Sequence, residues 1–217
     1  YTADMADEER FDAALQASIG FFKAAGYTWD EASGKFTAAP EGAKMSYEVI
    51  VPASGGEDHP AYLLCEYVRQ ALDSIGITLV INNPSDDNVI WNALNANTEE
   101  MWTAAWSSSI DPDMYQTWHS KNVVGAPGST GSNHAYLIDE QLDQLIMDAR
   151  VSPDQEYRKA IYKECLDIIK DWGVEVPYYQ RQNIYVVSVE RVNVDTITPD
   201  VTPYWNWMND IQNMEMN

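Results

Sequence analysis

A strand–helix–strand unit within residues 46–81 constrains the fold more than any other feature of this sequence. Side chains alternate through Tyr47–Val51 as in a β-strand, and a helix from about Pro60 to Ser74 then places its apolar residues on one face. Gly76 ends that helix, and Ile77–Ile81 alternates as a second strand. Because a helix between two strands at these lengths favours a parallel crossover, the sequence predicts an α/β fold with a mixed sheet flanked by helices.

Further elements are predicted on both sides of this unit. They are helices at about Asp7–Ala25 and Asp87–Asn95, two late helices, and strands at Glu100–Trp106, Val174–Val187 and Val189–Val194. The first of the late helices has a predicted apolar face of Leu142, Leu145, Ile146 and Ala149. Ser152 stands three residues before Gln155, as in a capping box, and would open the last helix. The predicted buried side of that helix carries Tyr157, Ile161, Ile168 and Trp172. We interpret residues 1–217 as a single compact domain.

The charge balance argues against several classes of partner. The chain carries 34 acidic and 13 basic residues, a net charge of −21, so it would repel the phosphates of nucleic acid and an anionic membrane surface. No apolar run approaches the roughly 20 residues that span a bilayer. The chain starts at Tyr1 without a visible signal peptide, which suggests a fragment or a mature segment.

Two cysteines, Cys65 and Cys165, lie inside predicted helices. Neither has a CxxC partner or a histidine at metal-ligand spacing. This pattern favours buried free thiols over a disulfide.

Trp106 is the first candidate for ligand contact. It ends a predicted strand, and open α/β sheets bind ligands beyond the carboxyl ends of their strands. An indole there can stack on a flat group and donate its N–H, although a core position is the alternative. Ser107, Ser108 and Ser109 follow with hydroxyl and backbone N–H groups, or form an ordinary polar turn. Asp111 before Pro112 has the form of a helix N-cap.

The sequence does not predict an enzyme, a cofactor or a metal site. Asp111 and Asp113 are two carboxylates, as the acid/base pair of a glycosidase would require. Two acids that flank a proline at the start of a helix are, however, more often helix caps. Three histidines are too scattered for a metal signature, namely His59, His119 and His134. The chain also lacks GxSxG, P-loop and GxGxxG motifs.

Four segments occur in an order that resembles a known family. They are Ile75-Gly76-Ile77 at the end of the crossover helix, Trp106 followed by Asp111-Pro112-Asp113, Tyr136–Ile146, and Arg158–Ile169 followed by Val176-Pro177-Tyr178-Tyr179. In order and spacing they resemble segments of the family-5 extracellular solute-binding proteins, which serve dipeptide and oligopeptide importers. The resemblance implies one lobe of a type II periplasmic-binding-protein fold. It covers only the C-terminal lobe of a larger two-lobe protein, so residues 1–217 would form that single ligand-binding lobe.

The resemblance also implies a function and a place in the cell. Members capture a small polar solute, such as an oligopeptide, and deliver it to the permease subunits of an ABC transporter. They work at the extracellular face of the membrane or in the periplasm. Contact with the membrane would come only through an anchor outside this chain, as in a lipoprotein. The resemblance implies no catalysis.

The implied ligand site comprises Trp106, Ser107, Ser108, Ser109 and Asp111, since the matching tryptophan lines the family's cleft. Peptide-binding members place an aspartate three residues after it, and that carboxylate holds the α-ammonium of the peptide. This sequence has Ser109 there, in a loop one residue shorter. A hydroxyl pairs less strongly with an ammonium than a carboxylate does. Either Asp111 substitutes for that aspartate, or a sugar or another polar solute is recognised.

Two functions of other classes remain open from the sequence. A free-standing carbohydrate-binding module would also use exposed tryptophans and an acidic surface, but most such modules are β-sandwiches. A hydrolase is supported only by the paired acids.

Overall fold

The chain forms two compact units, Tyr1–Ala105 and Trp106–Asn217. A computed structural model describes residues 4–106, 111–129, 131–180, 184–199 and 205–217. The first unit contains α1 (Asp7–Ala24), β1 (Thr28–Asp30), β2 (Lys35–Ala38), β3 (Ser46–Ile50), α2 (Pro60–Ser74), β4 (Thr78–Asn82), α3 (Asn88–Ala96) and β5 (Met101–Trp102). The second contains α4 (Tyr115–Trp118), α5 (Glu140–Val151), α6 (Gln155–Trp172) and single-turn 3₁₀ helices at Ser120–Asn122, Val194–Thr196 and Ile211–Asn213.

A parallel three-stranded sheet organises the first unit. Its order is β4-β3-β5, and Tyr47 pairs with Leu79 in parallel register. The parallel crossover predicted from the sequence is therefore confirmed. Pro60 opens α2 at the first helical position, where its missing N–H costs nothing, and the side chain of His59 accepts from the Ala61 N–H.

Helices cover both faces of β3 because its successive side chains point to opposite sides. Val49 and Val51 pack in one buried cluster with Cys65 of α2. Ile50, which lies between them, packs in another with Ile90 of α3. Strand β3 is thereby fixed from two sides.

The β1–β2 hairpin packs in a third cluster that includes Ile19 of α1 and Phe36 of β2. Gly76 is required where α2 turns back toward this cluster. Its φ is +86°, and a Cβ there would lie 2.7 Å from the carbonyl oxygen of Phe36. Only glycine fits this approach without displacing the hairpin.

The second unit is built on the pair of helices α5 and α6. Its buried core includes Leu142, Ile146 and Ala149 of α5, all fully enclosed, with Cys165 of α6. The apolar face that the sequence predicts for this helix, Leu142, Leu145, Ile146 and Ala149, is therefore confirmed. Tyr115 of α4 packs against the same core.

The buried side of α6 differs from the prediction. Tyr162, Cys165 and Ile169 are buried, whereas Tyr157 and Trp172 are 45% and 54% exposed. The prediction was wrong for these two aromatic residues, because α6 packs against the core through a different face, which carries Tyr162, Cys165 and Ile169. Ile161 and Ile168 pack against the core only partly, as expected for its flanks.

The cap of α6 also differs from the prediction. Asp154 is the N-cap, and its Oδ1 accepts from the N–H groups of Glu156 and Tyr157 at 3.0 and 3.2 Å. Ser152 accepts instead from the N–H of Asp154. A carboxylate next to the first turn satisfies two orphan donors and interacts favourably with the helix dipole.

Three predicted strands are shorter than expected or are not formed. Only Met101–Trp102 of the predicted Glu100–Trp106 strand pairs with β3. No strand is assigned within the described parts of Val174–Val187, and Val189–Val194 contributes one isolated bridge, from Val192 to Met216. A strand needs a neighbouring ladder, and the described residues offer none to these segments.

Both cysteines are free and buried, which confirms the expectation from the sequence. No helix within the described ranges combines the length and the apolar character that crossing a membrane requires.

Candidate ligand-binding site

Trp106 is accessible to solvent. Its side chain is 47% exposed, and its ring stacks on that of His134 with 6.5 Å between the centroids and 21° between the planes. The prediction that Trp106 lies at the surface is confirmed, and the alternative of a core tryptophan is wrong. Burial lowers the pKa of His134, so its imidazole is neutral near pH 7. The contact of Trp106 with a ligand stays a prediction.

The three serines of the predicted site, Ser107, Ser108 and Ser109, lie outside the described residues. The role of their hydroxyl groups beside Trp106 therefore stays a prediction.

Asp111 pairs with an arginine and does not cap a helix. Its Oδ1 accepts from a terminal nitrogen of Arg158 in α6 at 2.6 Å. The same nitrogen lies 3.3 Å from the Tyr162 hydroxyl, and hydrogen bonds with Tyr162 and Asp111 raise the pKa of Arg158. The N-cap prediction was wrong, because α4 begins four residues later, at Tyr115. The charge of Asp111 is thus already balanced by a side chain that is only 13% exposed.

Asp113 is engaged in a similar way with α5. Its Oδ1 accepts from the Tyr115 N–H at 3.0 Å, and its Oδ2 lies 3.1 Å from Nε of Arg150. The Arg150 guanidinium also lies 4.2 Å from the centroid of the Tyr115 ring, within cation–π range. Asp111 and Asp113 therefore pair with separate arginines on separate helices, as anchors do.

A third contact fixes the other end of this segment. The backbone N–H of Ser120 donates to Oδ1 of Asp143 in α5 at 2.8 Å, and its hydroxyl donates to Oδ2. Residues 111–120 are therefore attached to both long helices of the second unit. The sequence did not reveal the partners Asp143, Arg150 and Arg158, because they are 23 to 47 residues away from the groups they hold and follow no local pattern.

Asn133, the residue before His134, binds backbone groups of the second unit through its side-chain amide. It is fully buried. Its Nδ2 donates to the carbonyl oxygen of Leu137 at 2.9 Å and lies 3.3 and 3.4 Å from those of Trp118 and His119. Its Oδ1 accepts from the Leu137 N–H at 3.3 Å. The amide therefore links the backbone of Leu137 to that of the adjacent residues Trp118 and His119.

The first unit has an open polar depression of about 340 Å³. It is lined by Lys44, Ser46, Tyr47, Glu48, Val80, Thr98, Glu99 and Glu100. Lys44 pairs with Glu100, and Glu48 accepts from Nδ2 of Asn82 at 2.8 Å. Burial and the charges of Glu48 and Glu100 raise the pKa of Glu99. The depression lies near the beginning of β3. The sequence indicated a ligand site at the other side, beyond the carboxyl ends of the strands.

The histidines have structural roles where their contacts are known. Nδ1 of His59 and Nδ1 of His119 each accept a backbone N–H at 3.2 Å, from Ala61 and Lys121. Within the part of the chain that the structure describes, His, Cys, Asp and Glu do not gather in threes as a metal site would require.

The fold is that of part of the substrate-binding proteins of ABC transporters. The chain matches the oligopeptide-binding protein AppA from Bacillus subtilis in complex with a nonapeptide, with a TM-score of 0.54 and 18% identity over 80% of the chain. It also matches an ABC transporter substrate-binding protein from Sinorhizobium meliloti, with a TM-score of 0.54 and 17% identity over 94% of the chain. NikZ from Campylobacter jejuni in complex with Ni(L-His) matches at 0.54 and 17% over 71%. The predicted α/β fold class is confirmed.

A relative in sequence is Di/tripeptide-binding protein 2 of Pseudomonas aeruginosa (strain UCBPP-PA14). It is 27% identical over 146 residues, which are 67% of this chain. The chain spans 26% of the length of this relative and 29–37% of the length of the three structures. No family model matches. The resemblance to the family-5 solute-binding proteins is confirmed, and it extends to only part of their length.

Proposed function

We propose that this chain is a ligand-binding lobe of the substrate-binding component of an ABC importer, and that it captures a small polar solute such as an oligopeptide. The observation that carries this proposal is the similarity of two thirds of the chain to a protein named for binding di- and tripeptides. Structural similarity over 94% of the chain to a transporter's substrate-binding protein supports it. In this proposal residues 1–217 act as one C-terminal lobe.

The proposal includes a location and partners. The chain would act at the extracellular face of the membrane or in the periplasm, and would deliver its solute to the permease subunits. A similar structure, with a TM-score of 0.52, is described as a periplasmic murein tripeptide binding protein. The proposed protein binds its solute and releases it unchanged, so it catalyses no reaction.

The carbohydrate-binding module is not favoured. Such modules are mostly β-sandwiches, whereas the described part of this chain contains helices of 18, 15, 12 and 18 residues in α1, α2, α5 and α6. The hydrolase is not favoured either, because both acids of its proposed pair are engaged with arginines.

In the proposed site, Trp106 stacks on a flat group of the solute, and Ser107, Ser108 and Ser109 supply hydrogen bonds. The exposed indole supports the first role. Asp111 would contribute only by exchanging its contact with Arg158 for one with the solute. Since Ser109 is neutral and Asp111 is already paired, we expect no strong dependence on a free α-amine.

Calorimetry on the full-length protein tests this site. Trp106→Ala should weaken solute binding about tenfold, because a lost stacking contact together with its buried area contributes on the order of 1 kcal/mol or more. Trp91→Ala is the matched control, since Trp91 is 43% exposed and lies in the other unit. Equal affinities for the two variants would refute the role of Trp106. Binding of di- or tripeptides that is lost on N-acetylation would refute the reading of Ser109 and would point to Asp111.

A further inference from the structure

The exposed indole of Trp106 rests against the imidazole of His134. The two ring planes meet at 21° with 6.5 Å between the centroids, an offset stack within the range of favourable aromatic pairs. Trp106 is nevertheless 47% exposed, so much of the indole stays open to solvent. The stack therefore covers one face of the ring and leaves the opposite face as the one that a solute can reach.

His134 lies in a short loop that is closed on itself. The side chain of Asn133 donates to the carbonyl oxygen of Leu137 at 2.9 Å and accepts from the N–H of the same residue at 3.3 Å. The N–H of Asn133 donates to the carbonyl oxygen of Asn122 at 2.9 Å. Since Asn133 and Leu137 are both buried, the backbone on either side of His134 is held by the interior of the second unit.

The residues that lead into this loop are bonded as well. The N–H of Gly131 donates to the hydroxyl of Ser129 at 2.8 Å, and Nε2 of Gln116 donates to the hydroxyl of Ser132 at 3.2 Å. These contacts extend the ordered support of His134 toward α4. The imidazole is thus carried by a well-held stretch of chain, although the composition of 125–133 is that of a flexible loop.

The charge state of His134 suits a supporting role. Burial lowers the pKa of its imidazole, so the ring is neutral near pH 7. A neutral ring packs against an indole without the cost of burying a charge.

A held indole is of use to a binding site. A tryptophan without support at a surface has several side-chain rotamers open to it, and a solute that stacks on the ring must select one of them. Immobilising a side chain on binding costs free energy, and a ring that is already held avoids that cost.

We infer that His134 is a positioning residue of the proposed ligand site: it holds the indole of Trp106 in one orientation by stacking on one face, and the solute stacks on the opposite face. The inference rests on the proposed function in one respect, that a solute binds at Trp106. It also narrows the class of solute. A single open face accepts one planar group laid against it, such as an aromatic side chain or an amide group.

Fluorine NMR on full-length protein labelled with fluorotryptophan tests the positioning without any solute. The Trp106 resonance is assigned by its loss in Trp106→Phe, and its broadening by a soluble gadolinium chelate reports the exposure of the ring. That broadening should rise about twofold in His134→Ala, because an indole that is 47% exposed would be released to other rotamers. His134→Phe keeps an aromatic ring and should restore the wild-type value.

Trp91 is the internal control of this measurement, since it is 43% exposed and lies in the other unit. Its broadening should be the same in all variants. An unchanged value for Trp106 in His134→Ala would overturn the inference.

A double-mutant cycle by calorimetry tests whether His134 acts through Trp106. With the dipeptide alanyl-phenylalanine as the probe, His134→Ala should weaken binding about threefold to tenfold, because the solute must then immobilise the indole. His134→Phe should bind as the wild type does. In the Trp106→Ala background, His134→Ala should have no further effect. Equal weakening in both backgrounds would overturn the inference, since His134 would then act independently of the indole.

Two further outcomes separate the possible failures. Full-length protein that binds no peptide, but in which His134→Ala exposes Trp106, would refute the proposed function and leave the positioning of the indole standing. Peptide binding that requires Trp106 but is insensitive to His134→Ala would overturn the inference and leave the proposed function standing.

Discussion

The buried amide of Asn133 gives the sharpest test of how the second unit is held together. We predict that Asn133→Ala destabilises the protein more than any exposed asparagine substitution does. The side chain is fully buried, donates to the Leu137 carbonyl at 2.9 Å and accepts from the Leu137 N–H at 3.3 Å. Alanine would leave both groups of Leu137 without the partner that they have now.

The magnitude follows from those two contacts. A net hydrogen bond contributes about 1 kcal/mol, and a buried group left without a partner adds about 1–3 kcal/mol. The longer contacts to Trp118 and His119, at 3.3 and 3.4 Å, add little. We therefore expect a loss of roughly 2–4 kcal/mol in the free energy of unfolding, or a fall of roughly 5–15 °C in melting temperature.

Urea denaturation followed by circular dichroism measures this loss. Asn92→Ala is the control, because Asn92 is exposed on α3 and alanine favours a helix. A difference of less than about 0.5 kcal/mol between the two variants would refute the reasoning. Asn133→Asp provides a check of sign. A carboxylate facing carbonyl oxygens is unfavourable, so the pKa of the introduced group is raised and this variant should become more stable relative to Asn133→Ala as the pH falls.

Three further predictions concern other parts of the chain. Gly76→Ala should lower the free energy of unfolding by about 2 kcal/mol or more, whereas Gly34→Ala, also at positive φ but with open space around it, should cost about half as much in the same urea titration. Hydrogen bonds from Arg69 and Gln70 lower the pKa of Glu66 to about 2, so its stabilising effect is present above the unfolded value near 4.5 and is lost as the pH falls toward 2. The difference in melting temperature between wild type and Glu66→Gln should shrink over that range, and a constant difference would contradict it. Burial raises the pKa of Cys165 to about 11, so a thiol reagent at pH 8 should label it slowly in the native protein and quickly in urea, whereas rapid native labelling would disprove the buried position.

The parallel β3–α2–β4 crossover was predictable because the sequence patterns that define it are local. Alternation in β3 and β4, the helical face of α2 and the breaker Gly76 all occur within a short stretch of sequence, and each favours the same crossover. Trp106 is exposed, as one of the two alternatives for a tryptophan at the end of the predicted strand required, although the strand that forms already ends at Trp102.

Two errors came from groups whose partners are distant in sequence. Asp111 has the local form of a cap, but Arg158 holds it from a helix 47 residues away. In α6, Tyr157 and Trp172 define one stripe at helical spacing, and Tyr162 and Ile169 lie on another. Periodicity alone does not choose between two such stripes, because the choice depends on which face meets α5.

The connectivity of the two units sets the order in which they can form. Helices α5 and α6 are joined by three residues, so their shared core needs little loop closure. The sheet must instead bring β5 beside β3 after α2, β4 and α3 have been placed, which makes its contacts non-local. Since local contacts form faster than non-local ones, we expect the pair of α5 and α6 to form first. The parallel sheet would then form slowly, and its unpaired strands would be prone to aggregate until it is complete.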